Sequence, residues 1–175
     1  FDDDGSLVLG FMDRAGNQMA PNNYDLLGYS IGPISVAAGD ILRVCNTSQG
    51  LKLEGSHPEC PSNALNAEGP GGGEFYHGDS VYLSLACHPE ASFGGLALRH
   101  GSREVVFSAL DPTDSPLSGG AIRVSSVNGG RVDGFRFYEN FFNSPNPNTS
   151  KANGIGDLAL TCSNAPIEFG NYVWL

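Results

Sequence analysis

Few residues in this chain carry soft or borderline donor atoms. There are four histidines (His57, His77, His88 and His100) and four cysteines (Cys45, Cys60, Cys87 and Cys162). Thiolate and imidazole are the ligands of zinc and copper. The adjacent Cys87 and His88, joined by His57 from a neighbouring loop, therefore form the candidate metal set. Against it, neighbouring side chains in extended chain point to opposite faces, and His57-Pro58 and His88-Pro89 read as solvent-exposed corners. The lack of any C-x-x-C pair excludes a zinc ribbon and a thioredoxin-type couple. The even cysteine count instead predicts two disulfides among Cys45, Cys60, Cys87 and Cys162, with three pairings open. That in turn predicts an oxidising compartment.

Carboxylates are numerous but form no pattern of known chemistry. Asp2-Asp3-Asp4-Gly5-Ser6 and Asp111-Pro112-Thr113-Asp114 offer oxygen ligands for Ca²⁺. Neither has the alternating ligands, the Gly at position six or the Glu at position twelve of an EF-hand loop. There is no G-x-S-x-G elbow. Gly69 to Gly73 lacks the Lys and the following helix of a P-loop. The expectation is a protein that is not an enzyme and needs no cofactor, with Ca²⁺ or copper as the ions to consider. Aromatic residues gather late in the chain. Phe135 and Phe137 share a strand face and read as core. Tyr138, Tyr172 and Trp174 are the candidates for exposed rings that stack on sugars.

These residues must be held by strands. Gly (24) and Pro (11) make up a fifth of the 175 residues, and only 16% are charged. Such a composition excludes a coiled coil, and the glycines have no collagen period. With 40% hydrophobic residues and ten Phe, disorder is not expected. Short apolar runs separated by Gly, Pro, Asn and Asp recur along the chain. They are Leu7 to Phe11, Tyr24 to Ile31, Ile34 to Val36, Ile41 to Val44, Ser80 to Ala86, Leu96 to Leu98, Val105 to Leu110, Ala121 to Val127, Val132 to Phe137, Leu158 to Cys162 and Ile167 to Trp174. Asn128-Gly129-Gly130 predicts a hairpin between two of them. Asn46 to Gly73 and Asn143 to Asn153 read as long loops, and Glu139 to Phe142 as a single helical turn. The predicted fold is all-β, one antiparallel β-sandwich of Greek-key type over residues 1–175 with long loops.

Ile34-Ser35-Val36-Ala37-Ala38-Gly39-Asp40-Ile41-Leu42-Arg43-Val44-Cys45-Asn46 resembles the first motif of the cupredoxins, the plastocyanin-like and azurin-like copper sandwiches. Gly78-Asp79-Ser80-Val81-Tyr82-Leu83-Ser84-Leu85-Ala86-Cys87-His88-Pro89 is similar to their second motif, and Phe93 to Leu98 stands where their final strand lies. The resemblance spans residues 28–100, leaving 101–175 as additional strands. It implies a cupredoxin-like sandwich. It would also imply a type 1 copper site, but Leu51, Lys52 and Leu53 stand in the region of the first expected imidazole and Glu90 in that of the second. A copper electron carrier would thus need the atypical ligands His57, Cys87 and His88.

The net charge of −10 repels phosphate, so nucleic acid and anionic lipid are excluded as partners. No apolar run approaches the roughly 18 residues of a membrane span. The start at Phe1, without Met, is what a cleaved signal peptide would leave. Two N-x-S sequons, at Asn46 and Asn148, lie in loop-like segments. The apolar strand Leu7, Val8, Leu9 and Phe11 follows an acidic leader and is a candidate for completing the sheet of a neighbouring copy. The reading that emerges is a secreted, extracellular or periplasmic, structural or adhesive subunit of a filament or coat. Its partners would be further copies of itself or glycans. A carbohydrate- or metal-ion-binding module is the alternative.

Overall fold

A computed structural model describes residues 1–13, 38–62, 73–82, 87–88, 90–113, 118–139 and 155–160. These residues are all-β apart from one short 3-10 turn, His77–Asp79. A three-stranded sheet orders β1 (Leu7–Gly10), β2 (Ile41–Thr47) and β3 (Gly50–Leu53). A two-stranded ladder joins β4 (Val81–Tyr82) to β5 (Cys87–His88). A four-stranded sheet orders β6 (Ser92–Arg99), β7 (Glu104–Leu110), β8 (Ser118–Ser125) and β9 (Arg131–Glu139). All pairings are antiparallel. Neighbours in each sheet follow one another in sequence, so the Greek-key crossover expected above is not seen among the described residues.

The core lies between the sheets and follows from two-residue alternation. Val105, Phe107 and Ala109 of β7 all point inward and are fully buried. They stand opposite Val124, Ile122 and Gly120 of β8. Val8 of β1, Ile41 of β2 and Val81 of β4 pack into the same cluster, together with Phe75 and Tyr76. The hairpin at Asn128-Gly129-Gly130 forms where the sequence places it, closed by Ser125 N–H to Gly130 O and Gly129 N–H to Ser125 O. Gly129 has φ +73°, and a Cβ there would stand 1.6 Å from the Phe75 carbonyl oxygen. Only glycine lets the hairpin lie against the Phe75-Tyr76 segment.

Several expectations change. The stretch read as loop from Asn46 begins inside β2 and contains β3, so the Asn46 sequon sits on a strand. Leu51 and Lys52 lack the apolar alternation that marks a buried strand, because β3 lies at a sheet edge. Leu158 to Leu160 is irregular rather than a strand. Phe135 and Phe137 are not core: they are 42% and 59% exposed. They do lie on the outermost strand, β9, and its register shifts between Gly119↔Tyr138 and Gly120↔Arg136, leaving Phe137 in a bulge. Leu7, Val8 and Leu9 pair within their own chain, opposite Val44, Arg43 and Leu42, and Phe11 continues this pairing through Asp40. Segments 24–31, 34–36, 83–86, 140–142, 143–153 and 167–174 lie outside the described residues.

Candidate functional site

Of the predicted disulfide cysteines, Cys45 and Cys60 are bonded, with an S–S distance of 2.00 Å. Cys87 and His88 make up β5, their backbones opposite Tyr82 and Val81. Their side chains lie outside what is described, as do Cys162, Tyr172 and Trp174. His57 belongs to the disulfide loop, where it bridges Cys60 and its Nδ1 accepts the Glu59 N–H. No metal-holding group among the described residues includes it. Tyr138 is half-buried. A Cβ on Gly119 would stand 2.2 Å from the Tyr138 ring, so the ring packs against that glycine.

The acidic leader is also engaged. Asp3 accepts the Gly101 N–H and pairs with His100, which together hold its carboxyl below the usual range. Asp4 accepts the Ser6 N–H and pairs with Arg43 at 2.5 Å. Asp111 is buried and accepts the Ser118 N–H. Asp114 lies outside the described residues.

Other carboxylates do converge. Asp40, Asp79 and Glu90 each place an oxygen within 4.8 Å of the others. Glu54 and Glu74 adjoin them, and the charges of these five groups act on one another. Each carboxylate sits where an element starts or stops. Asp40 precedes β2, Glu54 follows β3, Glu74 leads into Phe75-Tyr76, Asp79 closes the 3-10 turn and Glu90 precedes β6.

Backbone hydrogen bonds set this convergence. Ala38 N–H donates to Glu90 O, and Ser92 N–H donates to Gly39 O, which lays the entrance to β2 beside the entrance to β6. Gly78 N–H donates to Gly129 O, docking the 3-10 turn on the β8–β9 hairpin. Glu54 is clamped on Arg43: its own N–H donates to Arg43 O, while its Oε2 accepts the Arg43 N–H at 2.7 Å.

The electrostatics follow from burial. Glu54, Glu74 and Asp79 are 0%, 1% and 1% exposed. Burial, with the Asp40 charge adding to it, pushes the Glu54 carboxyl up to about 8. Burial and the charges of Asp79, Asp40 and Glu54 push Glu74 up to about 10. Asp79 and Glu90 are both raised, chiefly by burial, and they share a hydrogen bond that needs a proton on one of them. Neither Glu74 oxygen meets a donor in hydrogen-bonding geometry, and the nearby Tyr76 amide offsets its burial only slightly. The Arg43 guanidinium lies over the Phe75 ring at 4.4 Å and is held by Asp4.

Such a cluster can do one of two things: hold protons, or hold a hard cation. No residue in it is a thiolate or an imidazole, so it suits neither copper nor a structural zinc. The sequence hid it because its members are spread from Asp40 to Glu90 with no common spacing. The visible trace was that each acid flanks a glycine or proline turn signal: Gly39-Asp40, Glu54-Gly55, Gly73-Glu74, Gly78-Asp79 and Pro89-Glu90.

Fold and site together define an acidic, disulfide-linked, sandwich-like β module with an internal carboxylate cluster. No family model and no solved structure matches the chain. Over 187 aligned residues the chain is similar to Colossin-A of Dictyostelium discoideum, at 29% identity. The alignment takes in 99% of this chain and 2% of Colossin-A, so the chain spans a small fraction of that relative's length.

Proposed function

We propose that this chain is a non-enzymatic β-sandwich module of an extracellular structural or adhesive protein. The observation that carries the reading is the similarity to Colossin-A. It runs through essentially the whole of this chain and occupies 2% of a far longer one, as expected of a modular segment. The Cys45–Cys60 disulfide supports a location outside the reducing cytosol. No helix of the described residues is long and apolar enough to cross a membrane. Contacts with glycans or with further copies would fall on β9, where Val132, Phe135 and Phe137 are exposed.

The test is surface labelling of intact cells with a membrane-impermeant biotin reagent, followed by differential alkylation and mass spectrometry of the native protein. The expected result is a labelled protein with Cys45 and Cys60 protected as a disulfide. An unlabelled protein with both thiols free would sink the reading.

A further inference from the structure

We infer that Asp40, Asp79 and Glu90, with Glu74 and Glu54 beside them, form a buried calcium site that ties together the entrances of β2 and β6, the end of β3 and the 3-10 turn. The inference is independent of where the protein resides.

The geometry comes first. Ca²⁺ takes six to eight oxygens at about 2.3–2.6 Å, so oxygens on opposite sides of the ion lie about 5 Å apart. Three carboxylate oxygens mutually within 4.8 Å fit inside one such shell. These acids are also unlike surface ones, since Asp79 is 1% exposed and Asp40 and Glu90 are at most partly accessible.

A second observation lies outside that trio. Glu74 is 1% exposed, neither of its oxygens meets a donor in hydrogen-bonding geometry, and the Tyr76 amide is the smallest of the influences on it. The strongest charge acting on it is that of Asp79, followed by Asp40 and Glu54. It is therefore a buried acid turned toward other acids. Asp79 Oδ2 and Glu90 Oε2 likewise meet no donor. Ionised, these buried acids would be among the costliest features a fold can carry, so without a cation they hold protons instead. The charges acting most strongly on Glu74, Asp79 and Glu90 are all carboxylates; the Arg43 guanidinium pairs with Asp4 and lies over the Phe75 ring, and within the cluster its charge lowers Glu54.

Donor chemistry selects the ion. An all-oxygen, carboxylate-rich set is hard, which disfavours zinc and copper. Mg²⁺ needs near-octahedral geometry and retains several waters, usually with only one or two carboxylates. Five convergent acids in a buried position suit the flexible, higher coordination of Ca²⁺.

The test uses the whole chain with its disulfide intact, stripped with EDTA and dialysed. Isothermal titration with CaCl₂ should show saturable binding. Melting should rise by roughly 5–10 °C at a hundredfold excess over the dissociation constant. MgCl₂ at equal concentration should give less than half that shift. Glu74→Gln and Asp79→Asn should each weaken Ca²⁺ at least about tenfold. In EDTA both should melt at or above the wild-type temperature, because neutralising one acid relieves its neighbours. A merely structural role predicts a lower melting temperature in EDTA and no change in calcium response. Glu90→Gln serves as a further variant if either fails to fold. Three results would overturn the assignment: wild-type protein with no heat and no melting shift in CaCl₂, an equal shift with MgCl₂, or folded variants that bind Ca²⁺ as tightly as wild type.

Discussion

Breaking the Cys45–Cys60 disulfide should cost about 3 kcal/mol of stability, almost all of it through the unfolded chain. The bond spans 15 residues of sequence. In the chain-entropy account a loop of that size restricts the unfolded ensemble by about 3 kcal/mol at 25 °C. The folded side should change little. Cys45 and Cys60 are 4% and 0% exposed, so reduced thiols stay packed where they are. The enclosed segment is also held without the bond. Thr47 and Gly50 pair across the β2–β3 hairpin, Gly55 N–H donates to Cys60 O, and Cys60 N–H donates to His57 O. At about 2.1 cal/mol/K per residue, a 175-residue chain unfolds with an entropy near 0.37 kcal/mol/K, so 3 kcal/mol corresponds to a fall in melting temperature of about 8 °C. The assay is urea and thermal unfolding by circular dichroism of oxidised protein, of protein reduced with TCEP, and of the Cys45→Ala/Cys60→Ala variant. The urea m-value should rise on reduction, because the freed chain exposes more surface when unfolded. A melting temperature within 2 °C of the oxidised value would refute the loop argument. A loss well beyond about 5 kcal/mol would refute it in the other direction, by showing that the native loop depends on the bond.

The carboxylate cluster sets the pH response of cation-free protein. With Glu54 raised to about 8 and Glu74 to about 10, the folded state binds more protons than the unfolded one above pH 4.5. That stability is present in full below the unfolded value and is lost as pH rises, by up to about 1.4 kcal/mol per pH unit and group. The urea midpoint in EDTA should therefore fall between pH 5 and 8, and a flat or rising midpoint would contradict the burial of these acids. Phe107→Ala, at a fully buried site, should cost about 3–5 kcal/mol in urea unfolding, whereas Phe137→Ser on exposed β9 should stay within about 0.5 kcal/mol of wild type. Gly129→Ala should destabilise by clearly more than Gly50→Ala, again by urea unfolding. Both have positive φ, with a strain of about 1 kcal/mol, but only at Gly129 would the new Cβ meet backbone, the Phe75 oxygen at 1.6 Å, while Gly50 has nothing within 4 Å.

The strands were legible where burial enforces alternation. Val105, Phe107 and Ala109 alternate with half-exposed or small residues, and the strand lies where the period places it. The Asn128-Gly129-Gly130 turn was legible because local conformation alone demands glycine there. β3 was not, since an edge strand of Gly, Leu, Lys and Leu need bury little. The face of β9 was misread for a related reason. Alternation identifies which residues share a face, Phe135 with Phe137, but not which face meets the core. That choice depends on the neighbouring sheet and, here, on a bulge. The disulfide was legible as chemistry and open as pairing until the β2–β3 hairpin brought Cys45 and Cys60 to a Cα separation of 5.5 Å. The carboxylates were the least legible. Local sequence explains each as a turn residue, and only the long-range backbone pairs Ala38–Glu90 and Gly78–Gly129 show that the turns meet.

Two ties thus hold the same region by different physics. The disulfide joins β2 to the turn beyond β3, and Glu54 lies inside the loop it closes. The disulfide restricts the unfolded chain, whereas a cation among Asp40, Asp79 and Glu90 would bind only the folded one, because their positions depend on tertiary backbone contacts. Contributions that act on opposite states share no native contact and should add. The division also explains why the cluster can be so acidic. Without a cation, Glu74, Asp79 and Glu90 are relieved chiefly by taking up protons, which neutral and alkaline solution increasingly denies them. A scaffold already stabilised through its unfolded state by about 3 kcal/mol can carry that strained cluster while it waits for its ion. The covalent tie belongs to the module's persistence, and the carboxylates to its response to the surrounding solution.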